Sequence, residues 1–230
     1  LAAVLYKLKY KYRQWRYRQK AQGSPLQPLY EETPLPLSQD FMSTRFLVLD
    51  CEMSGLDPNK CQLLSIGWVV IENGRIVNST ARHLLIHADR GAGDSSKIHG
   101  LLDSSIAGAN SAASVLMLLM KQIPGSVLVF HHAPLDVKFL QKATMENFRC
   151  PLLFNYVDTM EIEKRRIHLQ GKAMGLRLAQ CRERYGLQSG SQHDALADAQ
   201  ATAELLLAQV SYLSGKQGLD LSQLSLDCTG

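Results

Sequence analysis

Short apolar runs, broken by turn-forming residues, dominate the chain from residue 45 onward. Residues 45–52 and 126–130 are nearly continuous apolar runs, the pattern of buried strands. Residues 62–72 and 76–87 read as two more strands, joined at Asn73-Gly74, a strong hairpin turn. Residues 152–157 form a further apolar run. Between these runs the period changes. Residues 111–123 predict an apolar helix stopped by Pro124-Gly125, and a second helix starts at Pro134, where proline suits the first turn. Later helices are expected over 159–168, 172–186 and 194–213, and 88–97 is a polar loop. An opening meander followed by strands alternating with helices predicts an α/β domain. Its mixed central sheet has about five strands and is flanked by helices.

The first 44 residues have a different texture. Residues 5–20 follow helical spacing, with Leu5, Leu8, Tyr12 and Trp15 forming a narrow apolar stripe. Residues 23–44 hold Pro25, Pro28, Pro34 and Pro36, half of the eight prolines in the chain. The expected organisation is a basic aromatic helical arm (1–22), a Pro-rich linker or strap (23–44), the main domain (45–213) and a flexible C-terminal tail (214–230).

Charge sharpens that division. The net charge is +4, yet residues 1–20 carry seven lysines and arginines and no acid, so the remainder is −3. A basic arm with interleaved Tyr6, Tyr10, Tyr12, Trp15 and Tyr17 fits nucleic acid or an anionic surface. The five cysteines include no CxxC pair, which argues for reduced thiols, a cytoplasmic setting and no structural zinc. No apolar run reaches the roughly 20 residues of a membrane span, so no integral span is expected.

The chemistry lies in three separated stretches. Asp50 and Glu52 sit at i and i+2 of a strand and so share a face. Asp136 begins the helix after the 126–130 strand. Asp198 falls in the first turns of the last long helix, five residues after His193. One such acid alone is more often a solvated edge or a partner of a helix dipole. Here the strand is apolar and buried, and unpaired buried acids are costly. Four converging carboxylates form an all-oxygen site that favours Mg²⁺ or Mn²⁺. Two such cations are a common means of attacking a phosphodiester with water. His193 is a base that titrates near neutral pH. His83, His87 and His168 read as surface residues.

Together these stretches resemble the DnaQ-like exonuclease family of the DEDDh type, the superfamily of the proofreading epsilon subunit of bacterial polymerase III. Asp50-Cys51-Glu52-Met53-Ser54-Gly55-Leu56 resembles its first motif. His131-His132-Ala133-Pro134-Leu135-Asp136 resembles the second, with His132 in place of the commoner Asn. His193-Asp194-Ala195-Leu196-Ala197-Asp198 resembles the third. Tyr156-Val157-Asp158-Thr159 and Ile98-His99-Gly100-Leu101 are similar to two secondary signposts. The likeness covers roughly residues 44–213 and implies a ribonuclease H-like fold. It implies a 3′→5′ exonuclease that releases nucleoside 5′-monophosphates with two divalent cations.

In that reading Asp50, Glu52 and Asp198 hold one cation, Asp50 bridges to the second, Asp136 acts directly or through water, and His193 is the general base. Met53, Ser54, Gly55 and Leu56 grip the terminal nucleotide, and His99 touches a phosphate. The partner is nucleic acid with a free 3′ end, single-stranded, with DNA favoured. An exoribonuclease and a catalytically silent nucleic-acid or polymerase-binding module are the alternatives. Gln223-Leu224-Ser225-Leu226-Asp227 resembles a sliding-clamp-binding pentapeptide lacking its aromatic anchor, the one hint of a polymerase or clamp partner.

Overall fold

A computed structural model describes residues 2–87, 110–169, 174–188, 194–214 and 218–229. Strands β1 (Arg45–Met53), β2 (Leu63–Glu72) and β3 (Arg75–Leu85) form the antiparallel meander. Asn73 and Gly74 both take positive φ at its hairpin turn. Helix α3 (Ala112–Met120) leads to β4 (Ser126–Phe130), which pairs in parallel with β1. Helix α4 (Ala133–Phe148) crosses to β5 (Asn155–Asp158), parallel to β4. Helices α5 (Thr159–Leu169), α6 (Leu178–Glu183) and α7 (Ala195–Ser214) follow, then β6 (Asp227–Cys228), antiparallel to β5. The sheet order is β3-β2-β1-β4-β5-β6. Helices α1 (Ala2–Ala21) and α2 (Gln27–Glu31) precede it.

Alternation along β1 divides the core in two. Phe46 and Val48 face one side with Val69, Ile71, Val127 and Val129, where Ala203, Leu206 and Val210 of α7 cover them. Leu47 and Leu49 face the other side, packed with α3, α4 and the N-terminal helices. Both faces of β1 are therefore buried, which is why its sequence is a run and not an alternation. Because the even-numbered positions face α7, Asp50 and Glu52 continue that face at the end of the strand.

The N-terminal segments rest on the domain. The stripe of Leu5, Leu8, Tyr12 and Trp15 is real but points outward, with Trp15 75% exposed. The buried face carries Tyr6 and Tyr10 instead. The Tyr6 hydroxyl donates to Asn155 Oδ1 at 2.6 Å, and Lys9 pairs with Asp227. Tyrosine suits this contact because its ring is buried while its hydroxyl finds a polar partner. Within 23–44, Leu26, Leu29 and Tyr30 are buried, and the Tyr30 hydroxyl donates to the Pro151 carbonyl at 2.7 Å.

Three expectations need correction, the first being the helix expected over 172–186, which covers only Leu178–Glu183 among the described residues. Residues 218–229, expected as part of a flexible tail, are built into the fold: Leu221 and Leu224 are buried in the α7-side core, and β6 extends the sheet. The clamp-like peptide is therefore not presented as a free segment, since Leu224 lies in that core and Asp227 in β6. The strand expected from residue 152 starts only at Asn155. Gln141 explains the delay: its side-chain amide donates to the Leu152 carbonyl at 2.6 Å and accepts from the Leu152 amide at 2.8 Å, so Leu152 needs no ladder partner. Among the described residues, no helix is long and apolar enough to cross a membrane.

Candidate active site

Three elements bring the acids to one end of the sheet. Asp50 and Glu52 come from the end of β1. Across the β1–β2 ladder Asp50 lies opposite Gly67. A side chain at Gly67 would put its Cβ 2.2 Å from the backbone of Ala195 and Leu196. The glycine thus lets the start of α7 lie directly on the sheet beside Asp50. One turn further on comes Asp198, whose amide donates to the Asp194 carbonyl at 2.9 Å. The Asp194 side chain also caps α7, accepting from the Ala197 amide at 2.9 Å.

Asp136 arrives from the other face, in the first turn of α4. Asp158 holds that helix start, accepting from the amides of His132 and Ala133, each at 2.9 Å. His132 takes the left-handed conformation, φ 74°, to turn the chain from β4 into α4. Asp136 Oδ1 then accepts from the Cys51 amide at 3.0 Å, which ties the fourth acid to the strand between the first two.

The structure brings Asp50, Glu52 and Asp198 together, with one carboxylate oxygen of each within 4.8 Å of the others. Asp136 stands beside this group, coupled electrostatically to Asp50. Glu52 and Asp136 are buried, while Asp50 and Asp198 are half-buried. Burial, then the charges of Asp136, Asp198 and Glu52, hold the Asp50 carboxyl well above the usual carboxylate range. Burial and then Asp198 push Glu52 up to about 8. Burial pushes Asp136 up to about 7, against hydrogen bonds from its own and the Cys51 backbone. A cluster that resists ionisation in this way becomes stable as carboxylates only beside positive charge. Its clustered oxygen ligands and their spacing fit a hard divalent cation.

The expected nucleotide grip lies at the end of β1. Met53 is buried, and Ser54 is half-buried. The Ser54 amide donates to the Gln62 carbonyl and its hydroxyl accepts from the Gln62 amide, each at 2.9 Å, closing the 54–62 loop. At Gly55 a Cβ would meet Cys61 Sγ at 2.6 Å. Leu56 is 79% exposed at the loop tip. His193 and His99 lie outside the described residues. Sequence reasoning missed Gly67, Asp158 and Asp194 as supports of the acids. An acid three residues before a backbone amide of the predicted helix was the available signal for Asp194.

With this geometry in hand, comparison with known proteins is decisive. The exonuclease family model RNase_T matches residues 47–206. The chain belongs to this exonuclease family. Among its relatives, the DNA polymerase III PolC-type protein of Thermotoga petrophila is 29% identical over 180 residues, covering 78% of this chain and 13% of that protein. The DNA polymerase III subunit epsilon-like protein of Rhodobacter capsulatus is 31% identical over 192 residues, covering 80% of this chain and 25% of that protein. The chain thus spans a quarter or less of these curated relatives.

Solved structures share the exonuclease fold. E. coli Exonuclease I in complex with a dT13 oligonucleotide superposes with a TM-score of 0.61 at 14% identity, over 71% of this chain and 40% of that one. Exonuclease X in complex with 5′-overhanging duplex DNA gives 0.61 at 19% identity, over 78% and 97%. At these identities the likeness establishes the fold: a mixed, ribonuclease H-like sheet flanked by helices.

Proposed function

We propose that this chain is a metal-dependent 3′→5′ exonuclease that removes nucleoside 5′-monophosphates from single-stranded 3′ ends, with DNA as the favoured polymer. The observation that carries this reading is the convergence of Asp50, Glu52 and Asp198 within 4.8 Å, in a domain of the exonuclease family. Asp50, Glu52 and Asp198 would hold one cation, and Asp50 with Asp136 would serve a second, directly or through water. Two Mg²⁺ or Mn²⁺ ions at these acids would supply the charge that makes water nucleophilic at neutral pH and steadies the departing 3′ oxygen. His193 takes the proton from the attacking water. Leu56, exposed four residues past Glu52, and Met53 frame the terminal nucleotide and so favour an end over an internal bond. The five free cysteines suit a reducing, cytoplasmic compartment.

The test compares 3′- and 5′-labelled single-stranded DNA and RNA in Mn²⁺. The reading expects immediate release of labelled mononucleotide from the 3′ label, successive shortening of the 5′-labelled strand, and silence in EDTA. Faster turnover of RNA would move the substrate to RNA ends. Activity that persists in EDTA would remove the cation-based chemistry altogether.

A further inference from the structure

Helix α1 has two opposite apolar faces, and only one is used. Tyr6 and Tyr10 bury one face against the domain. At about 100° per residue, Val4, Leu5, Leu8, Tyr12 and Trp15 fall in a single sector roughly 100° wide on the opposite side. All five are more than half exposed, from Tyr12 at 54% to Trp15 at 75%. Exposed cations border that stripe: Lys7, Lys11 and Arg18 on one flank, Arg16 and Lys20 on the other. No acid occurs in the helix.

We infer that the outward face of α1 docks the protein on an anionic lipid surface. An aliphatic and indole stripe edged by lysine and arginine on both sides suits the boundary between headgroups and acyl chains. There the long cationic side chains reach back to lipid phosphates. Nucleic acid accounts for this face less well. Phosphates would engage the cations and bases would stack on Tyr12 or Trp15, but Val4, Leu5 and Leu8 offer neither stacking nor charge.

Position agrees. Tyr6 anchors α1 at Asn155, the first residue of β5, level with Val127 at the start of β4. The α2 segment is held in the same region, where Glu32 accepts from the Gly125 amide at 2.8 Å. The acids occupy the other end of the parallel strands, after Leu49 and Phe130. A bilayer under α1 therefore meets the end of the sheet remote from the acids.

The test uses the full chain with vesicles of phosphatidylglycerol and phosphatidylcholine, and with phosphatidylcholine alone. Trp15 is an exposed reporter, since the second tryptophan, Trp68, is buried. Co-sedimentation and a blue shift of tryptophan emission are expected with the anionic vesicles and not with the neutral ones. Both should weaken at high salt. The double variant Leu8→Asp/Trp15→Asp should lose about tenfold or more in vesicle affinity. Its melting temperature should stay unchanged, because neither side chain packs on the domain. No sedimentation of the wild-type chain with anionic vesicles overturns the inference, as does equal binding by the variant. An emission shift with single-stranded DNA but not with vesicles would assign the face to nucleic acid. Concentration-dependent self-association abolished by the variant, without vesicle binding, would assign it to a second copy.

Discussion

Replacing Gly67 with alanine should disable the site without touching any acid. The added Cβ would sit 2.2 Å from Ala195 C and Leu196 N, atoms of backbone and not of a yielding side chain. Restoring a tight contact of 3.4 Å requires the first turn of α7 to retreat by about 1.2 Å. Asp198 rides on that turn, and cation–oxygen distances tolerate only about 0.2 Å. A misplacement near 1 Å typically costs on the order of 100-fold in rate, and such overpacking costs about 1–3 kcal/mol of stability. Two measurements separate these effects: mononucleotide release in Mn²⁺, and the rise in melting temperature on adding Mn²⁺. Gly67→Ala should lower the first about 100-fold and shrink the second. Gly125→Ala is the control. It has open space within 4 Å but a φ of +69°, so it should cost about 1–2 kcal/mol of backbone strain and keep the Mn²⁺ response. Wild-type turnover together with a full Mn²⁺ response in Gly67→Ala would refute the argument that α7 is seated on this glycine.

Further outcomes follow from the same geometry. Asp50→Asn should abolish turnover yet raise the melting temperature of the metal-free protein, because the remaining acids lose a repelling neighbour; an unchanged or lower metal-free value counts against the cluster's strain. Glu52 rises in the fold from an ordinary 4.5 to about 8. The folded state therefore holds its proton more tightly, and metal-free stability should be greatest below about pH 4.5 and fall as pH rises toward 8. Melting curves in EDTA at pH 5 and 8.5 check the sign, and a higher value at 8.5 contradicts it. His193→Ala should cut turnover by about 10²–10⁴-fold while preserving the Mn²⁺-induced shift in melting temperature. Full turnover would mean that another group takes the proton. Tyr6→Phe removes the donor to Asn155 Oδ1 and should cost about 1–2 kcal/mol in urea unfolding with turnover unchanged. A neutral result would mean that this hydroxyl contributes nothing to seating α1.

Much of the site was legible because its information is local. The i, i+2 spacing of Asp50 and Glu52 on an apolar strand fixes their shared face, and Pro134 announces the helix that carries Asp136. The supports were not legible because they depend on distant partners. Nothing near Gly67 says that Ala195 will lie against it. Asp158 reads as the end of a strand, whereas its carboxylate holds the start of α4. Helix α1 shows the limit most clearly. Spacing finds the Leu5–Trp15 stripe but cannot tell which of two opposite faces is buried. That choice rests on Tyr6 meeting Asn155, 149 positions away.

Among the described residues, the outer edge of β5 is closed by β6, only two residues long, and the Thr229 amide reaches back to the Phe154 carbonyl at 2.9 Å. During synthesis from the N-terminus, α1 and five strands exist before that closing piece does. The nascent chain must then carry a bare strand edge, a template for pairing with another chain. Lys9 waits for Asp227, 218 positions later, so α1 gains its ionic clasp only once β6 is in place. Loss of residues 218–229 would therefore be felt less as weakened chemistry than as a growing tendency of newly made chains to stick to one another.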